Sequence, residues 1–214
     1  MAHFVLRDRE VRQPFLVRLF GITEQEFEEL ADEETRAELY DGVMIVHSPT
    51  TWRHDDLQLF LASLMRVFAD SKRLGNMTGP NTLMRLAQGR KFAPDIMFVA
   101  QHRVPTPLTK EFEGAADLVV EILSESARQY DLIEKRQVYQ EAGIREIFFI
   151  DSENRKIIID RRQATGRYQE EIITAGKVTS SVLQGFWFEA EWLWQEPLPP
   201  VMECLEQLLP PSSK

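Results

Sequence analysis

Residues 93–123 read APDIMFVAQHRVPTPLTKEFEGAADLVVEIL. Two short apolar runs stand near its ends, IMFVA (96–100) and LVVEIL (118–123). Both are short and carry β-branched residues, which predicts two buried strands. Pro105 and Pro107 place a loop between them. Asp95 opens the first run and Glu121 sits inside the second. A carboxylate in such surroundings is costly unless it is paired, hydrogen-bonded or bound to a metal.

Downstream, Ser126 with Gln129 forms a capping-box pattern that predicts a helix to about Ala142, stopped by Gly143. EIFFID (146–151) reads as a third buried strand. Ser152, Glu153 and Asn154 turn the chain back into KIIID (156–160). RYQEEIIT and KVTSSVL are expected to continue that antiparallel edge. Upstream, Leu57, Leu61, Leu64 and Phe68 fall on one face of a helix over 51–70. Thr50 or Thr51 can cap it, and Gly75 follows its end. Asp41-Gly42 marks a hairpin turn, and Thr23 with Glu26 caps a short helix. The order implies an α/β (α+β) class, a mixed central sheet flanked by helices with antiparallel hairpins at its edges.

The chain of 214 residues is 43% hydrophobic and 28% charged, which supports a packed core and excludes wholesale disorder. We expect one domain over residues 1–196 and a proline-rich tail over 197–214. The longest apolar run, Ile96–Ala100, is too short to span a membrane. The N-terminus shows no signal-peptide pattern. Cys204 is the only cysteine, so an internal disulfide or thiolate zinc site is excluded and a cytoplasmic setting is expected.

The formal charge of −9 argues against a general nucleic-acid binder, but it is unevenly placed. Residues 23–41 hold nine acids and one arginine. Residues 71–91 hold Lys72, Arg73, Arg85, Arg90 and Lys91 and no acid. That basic strip is either a solvated face or a phosphate-binding border to an acidic centre.

Glu38, at the first hairpin, is a third acid in apolar surroundings. Asp131 and Lys135 lie four apart on the helix after Glu121, hence on one face. Carboxylates able to bind a hard divalent cation, with a lysine nearby, are the groups phosphodiester hydrolysis requires.

Several pieces in order carry a family resemblance: ELYDG (38–42), SPTTWRH (48–54), APDIMFV (93–99), ADLVVEILSES (116–126), D-x-x-x-K-x-x-x-Y (131–139) and AGIREIFFID (142–151). The series resembles the Uma-two family of restriction-endonuclease-like proteins, within the PD-(D/E)xK nuclease superfamily. The resemblance implies that Asp95 and Glu121 bind a metal together with the main-chain carbonyl of Ile122. It implies magnesium, with manganese as a substitute. Glu38 matches the additional N-terminal acid, and His54 matches a histidine that donates to phosphate or holds Glu38. Leu123 occupies the superfamily's usual lysine position, so Lys135 is the candidate that replaces it.

Together these imply a metal-dependent endonuclease acting on DNA, with Arg85, Arg90 and Lys91 contacting nucleic acid. A duplex cutter with one such site per chain implies a homodimer. A non-catalytic module of the same fold and a nuclease acting on RNA remain the alternatives. Phe186, Trp187, Phe188, Trp192 and Trp194 suggest core or dimer packing ahead of a base-stacking platform.

Overall fold

The computed structural model describes residues 14–31 and 35–209, together with strand residues 5–6 and 9–10. Asp32, Glu33 and Glu34 of the acidic stretch and Pro210 and Pro211 of the tail lie outside the described residues.

The chain opens with β1 (Val5–Leu6), β2 (Arg9–Glu10), β3 (Leu16–Phe20) and α1 (Glu24–Leu30). Thr23 caps α1 and Glu26 returns the bond, the reciprocal arrangement expected from the sequence. The hairpin of β4 (Ala37–Tyr40) and β5 (Val43–His47) turns at Asp41-Gly42. Both turn residues have positive φ, 47° and 81°, which is why a short polar residue and a glycine stand there. Next come α2 (Trp52–Lys72), β6 (Gly75–Thr78), β7 (Leu83–Ala87), β8 (Arg90–Phe92) and β9 (Ile96–Ala100). Thr51, not Thr50, caps α2, and Arg73 takes the left-handed position at its end that Gly75 was expected to follow.

After β10 (Glu111–Glu113) and β11 (Leu118–Ile122), residues Tyr130–Lys135 form a π-helical turn that runs into α3 (Arg136–Glu141). The predicted cap at Ser126 is corrected. Ser124 Oγ accepts from the Ala127 amide at 3.3 Å and its carbonyl accepts from Arg128 at 2.9 Å, so the chain turns helical two residues earlier. The remaining elements are β12 (Glu146–Asp151), β13 (Lys156–Arg162), β14 (Tyr168–Ile173), β15 (Lys177–Thr179), β16 (Trp187–Glu189) and α4 (Val201–Leu208).

The expected mixed α+β class is observed, with two six-stranded sheets and two separate strand pairs, β1-β2 and β15-β16, among the described residues. One runs β10-β7-β8-β4-β5-β3 and the other β14-β13-β12-β11-β9-β6. Each contains one parallel pair, β10 with β7 and β11 with β12. The edge differs from expectation in one respect: β14 extends β13, but β15 leaves the sheet and pairs with β16.

Side-chain alternation divides the second sheet between two cores. Ile96, Phe98, Leu118, Val120 and Ile122 face a cluster shared with α2 and α4. Met97, Val99 and Val119 face the other cluster, with Phe92 of the first sheet and Tyr139 of α3. Within the tail, α4 packs into the core. Cys204, Leu205 and Leu208 of α4 are buried in the first cluster, because that face of α4 is apolar and α2 is still open to cover there. Phe186, Phe188 and Trp192 are core residues of the same cluster. Among the described residues no helix is long and apolar enough to cross a membrane.

Candidate active site

Asp95 lies on the short link between β8 and β9, where the chain passes from one sheet to the other. Glu38 comes from β4 of the first sheet and Glu121 from β11 of the second. β9 and β11 are antiparallel neighbours, with Ile96 opposite Val120. By alternation Asp95 shares a face with Met97, and Glu121 shares one with Val119. Both therefore lie on the face that meets the first sheet and α3.

The side chains interlock across that seam. Lys135 reaches Glu121 Oε1 at 2.7 Å, Glu38 Oε1 at 3.0 Å and Asp131 Oδ1 at 3.7 Å, and it is only 1% exposed. Glu38 Oε1 also accepts from the Ala93 amide at 2.8 Å, and its Oε2 from His47 Nε2 at 3.0 Å. Asp95 Oδ1 accepts from Arg36 at 2.6 Å, while Oδ2 accepts from the Ile122 amide at 2.7 Å and faces His54 Nε2 at 3.3 Å. Tyr139 donates to Glu121 Oε1 at 2.7 Å. Gln58 of α2 donates to the Asp95 carbonyl at 2.8 Å and so fixes the backbone of the link.

The electrostatics follow from this wiring. Burial alone would raise the Glu38 carboxyl, but Lys135 and His47 hold it well below the ordinary carboxylate value. Asp95 is likewise held low against its burial, by His54 and Arg36. Glu121 moves the other way: burial, with Asp95 and Glu38 nearby, pushes it up despite Lys135. Burial also raises Asp131, against the pull of Lys135. Burial opposes the Lys135 charge, yet Glu121, Glu38 and Asp131 hold the ammonium protonated. For His54, burial disfavours the imidazolium, but the bond to Asp95 outweighs it and raises the pKa.

A cleft of about 540 Å³ opens over the cluster. Arg36, His47, His54, Asp95, Glu121, Ile122, Asp131 and Lys135 line it. The far walls are the 48–51 loop at the start of α2 and the 123–127 loop after β11.

Four buried carboxylates, Glu38, Asp95, Glu121 and Asp131, thus share two permanent cations, Arg36 and Lys135. That excess of hard oxygen donors suits a hard divalent cation. Among the described residues no three His, Cys, Asp or Glu side chains form a ready metal-holding group. The donors expected from the sequence, the Asp95 and Glu121 carboxylates and the main-chain carbonyl of Ile122, belong to residues that line the cleft.

The structure brings Glu38, His54, Asp95, Glu121, Ile122 and Lys135 together. His54 holds Asp95, whereas Glu38 is held by His47. Arg85, Arg90 and Lys91 do not line the cleft. Arg85 pairs with Glu24 and Glu113, and Arg90 with Asp41 and Glu141. Lys91 is buried against Glu24, Glu28 and Glu111. The basic strip therefore meets the acidic stretch and the strand edge, because β4 and β8 are neighbours in one sheet.

Two residues were overlooked in the sequence. Arg36 stands two before Glu38, which the strand period of two places on one face. His47 stands two after Ile45, the cross-strand partner of Glu38. The first signal was local; the second needed the hairpin register.

The family model for Uma2, described as "Putative restriction endonuclease", matches residues 24–191. A crystal structure titled as a "putative nuclease belonging to DUF820" from Anabaena variabilis is similar in fold, with a TM-score of 0.71 at 19% identity. The likeness covers 81% of this chain and 97% of that one. No curated protein matches the chain.

Proposed function

The chain belongs to the Uma2 family, described as "Putative restriction endonuclease", and on that premise we propose that its cleft hydrolyses phosphodiester bonds in nucleic acid, DNA in the first instance. One observation carries the reading: Glu38, Asp95, Glu121 and Lys135, from two sheets and a helix, meet in one buried cluster on the wall of a cleft.

Asp95, Glu121 and the Ile122 carbonyl would hold magnesium, or manganese in its place. Such a cation offsets charge at the scissile phosphate and lowers the pKa of a bound water. The chain's own residues do the rest. Arg36 and His54 fix the Asp95 carboxylate from two sides. Tyr139 and Lys135 both engage Glu121 Oε1, which orients that carboxylate. Lys135, kept charged by three acids, supplies a positive group for the developing charge of the transition state. Glu38 helps hold the lysine in place. Two copies related by a two-fold axis would be needed to cut both strands of a duplex.

The test is cleavage of supercoiled plasmid, single-stranded DNA and RNA with magnesium or manganese, by wild type and Asp95→Asn. The amide keeps the shape and one acceptor oxygen, for Ile122 or for Arg36, but loses the other acceptor and the charge. Cleavage by wild type and none by the variant supports the proposal. Equal products from both, or none from wild type, refutes it and leaves a non-catalytic module of the same fold.

A further inference from the structure

α2 buries one face in the core, through Leu57, Leu61, Leu64 and Phe68. Its opposite face leaves large apolar side chains in the open. Trp52 is 90% exposed, Leu59 67% and Val67 42%. Trp52, Asp56, Leu59, Ser63 and Val67 follow one another at intervals of four, three, four and four, so they form one stripe along the helix. At 1.5 Å per residue it is about 22 Å long. Arg66 stands seven residues after Leu59 and lies on the stripe as well.

Charge on this face is divided by position. Asp55 and Asp56 stand at its start. Arg66, Lys72 and Arg73 stand at its end, with Asp70 among them. Arg66 is shared by Asp70, at 2.8 Å, and Asn76. Among the described residues, the side chains of Asp56, Lys72 and Arg73 have no hydrogen-bond or ion-pair partner.

An acidic start and a basic end make the stripe complementary to itself when it is turned end for end. The midpoint between Leu59 and Ser63 is also the midpoint between Asp56 and Arg66. A two-fold axis there sets Asp56 against the partner's Arg66 and Leu59 against the partner's Ser63. One turn to either side, Leu59 also meets the partner's Leu59 and the partner's Val67, so the apolar side chains run together across the axis. The small Ser63 lets the two helices approach. Trp52 falls between the partner's Arg66 and the partner's Arg73, where a cation–π contact is available. Self-complementarity of this kind is what an isologous contact requires. Asp55 and Asp56 at the start of the stripe oppose phosphate backbones and anionic lipid.

We propose that α2 pairs with α2 of a second copy of this chain, antiparallel about that axis, to form a homodimer. This supplies a surface for the two-fold pair that cutting a duplex would need, but it rests on α2 alone and not on the nuclease reading. His54 and the cleft lie at the start of α2, so the two clefts take opposite ends of the helix pair. A stripe one helix wide covers less than the about 800 Å² per partner of a standard interface, so association in the micromolar range is expected.

The experiment is sedimentation of the full chain over a concentration series, for wild type, Leu59→Asp, Asp56→Arg, Arg66→Asp and the double reversal, with thermal melts to confirm that each variant folds. Leu59→Asp should be monomeric. Each single reversal should weaken the dimer by about tenfold, since the axis repeats the like-charge contact twice, and the double reversal should restore most of it. A wild type that stays monomeric to about 100 µM overturns the proposal. So does a dimer that Leu59→Asp leaves intact, or a folded double reversal no tighter than the singles. A monomer that floats with phosphatidylcholine–phosphatidylserine vesicles, and no longer does so as Leu59→Asp, also overturns it and assigns the stripe to a lipid surface. Because the readout is mass, these failures leave the nuclease reading untouched. A wild type that pairs through α2 but cuts no nucleic acid refutes that reading alone.

Discussion

Lys135 Nζ lies 2.7 Å from Glu121 Oε1, although the two residues stand on different elements, one in a helical turn and one in a buried strand. The helix returns along the sheet after a short loop, so the lysine takes up a place beside a carboxylate of the preceding strand. Leu123 sits two residues after Glu121 and is itself buried in the core. The cation beside Glu121 comes instead from the π-helical turn that carries Asp131 and Lys135. π turns inside helices often occur at functional sites for such reasons of register.

Lys135→Ala should abolish cleavage and also weaken the fold. Losing a positioned donor costs about a hundredfold in turnover or more. Removing one partner of a buried ionic cluster costs roughly 3–5 kcal/mol. Urea melts and single-turnover assays at saturating metal check both. Lys135→Arg should recover stability better than turnover, because a planar fork does not replace a point charge. Cleavage near the wild-type rate in the alanine variant removes Lys135 from the mechanism.

Arg85→Glu and Arg90→Glu should leave nucleic-acid affinity unchanged, contrary to the sequence expectation, since neither lines the cleft. Lys91→Met should instead lower stability by about 3 kcal/mol, because Glu24, Glu28 and Glu111 lose their shared cation. Filter binding and denaturant melts separate the two effects. A steep loss of affinity in either arginine variant would restore the basic strip as a binding surface.

Leu205→Ala, far from the cleft, should cost about 2–3 kcal/mol, as for a buried leucine in a packed core. Deleting residues 197–214 should be worse, since it uncovers α2. Thermal unfolding of the two proteins tests this. A truncated chain as stable as wild type would make the tail a detachable segment.

Asp151 is fully buried, and Arg128 donates to it at 2.5 Å with Asn154 Nδ2 at 2.9 Å. Burial raises its carboxyl, but these bonds outweigh burial and leave it below the ordinary value. A lowered folded-state pKa means stability that is present above the unfolded value, about 3.9, and lost as pH falls through the folded one. Asp151→Asn should therefore destabilise by roughly 1–3 kcal/mol at neutral pH. That deficit should shrink when both proteins are melted near pH 3. A difference of the same size at both pH values would mean that the ionised carboxylate contributes nothing.

Much was determined by the sequence alone. The runs around Asp95 and Glu121, the Asp41-Gly42 turn and the cap at Thr23 are read from neighbouring residues, as is a cap at Thr50 or Thr51, because strand period, turn conformation and capping are short-range physics. The acids stood out locally as charges in apolar runs, whereas their order and the place of Lys135 were implied by the family resemblance. Only the tertiary structure decided which charges meet. Lys91 is paired with Glu28, 63 positions away, and Arg36 with Asp95, 59 positions away. Such partners depend on which strands become neighbours and how two sheets join, and no local pattern encodes that. The same holds for α4, which the sequence offered only as part of a proline-rich tail, since its burial needs a surface supplied by a distant part of the chain.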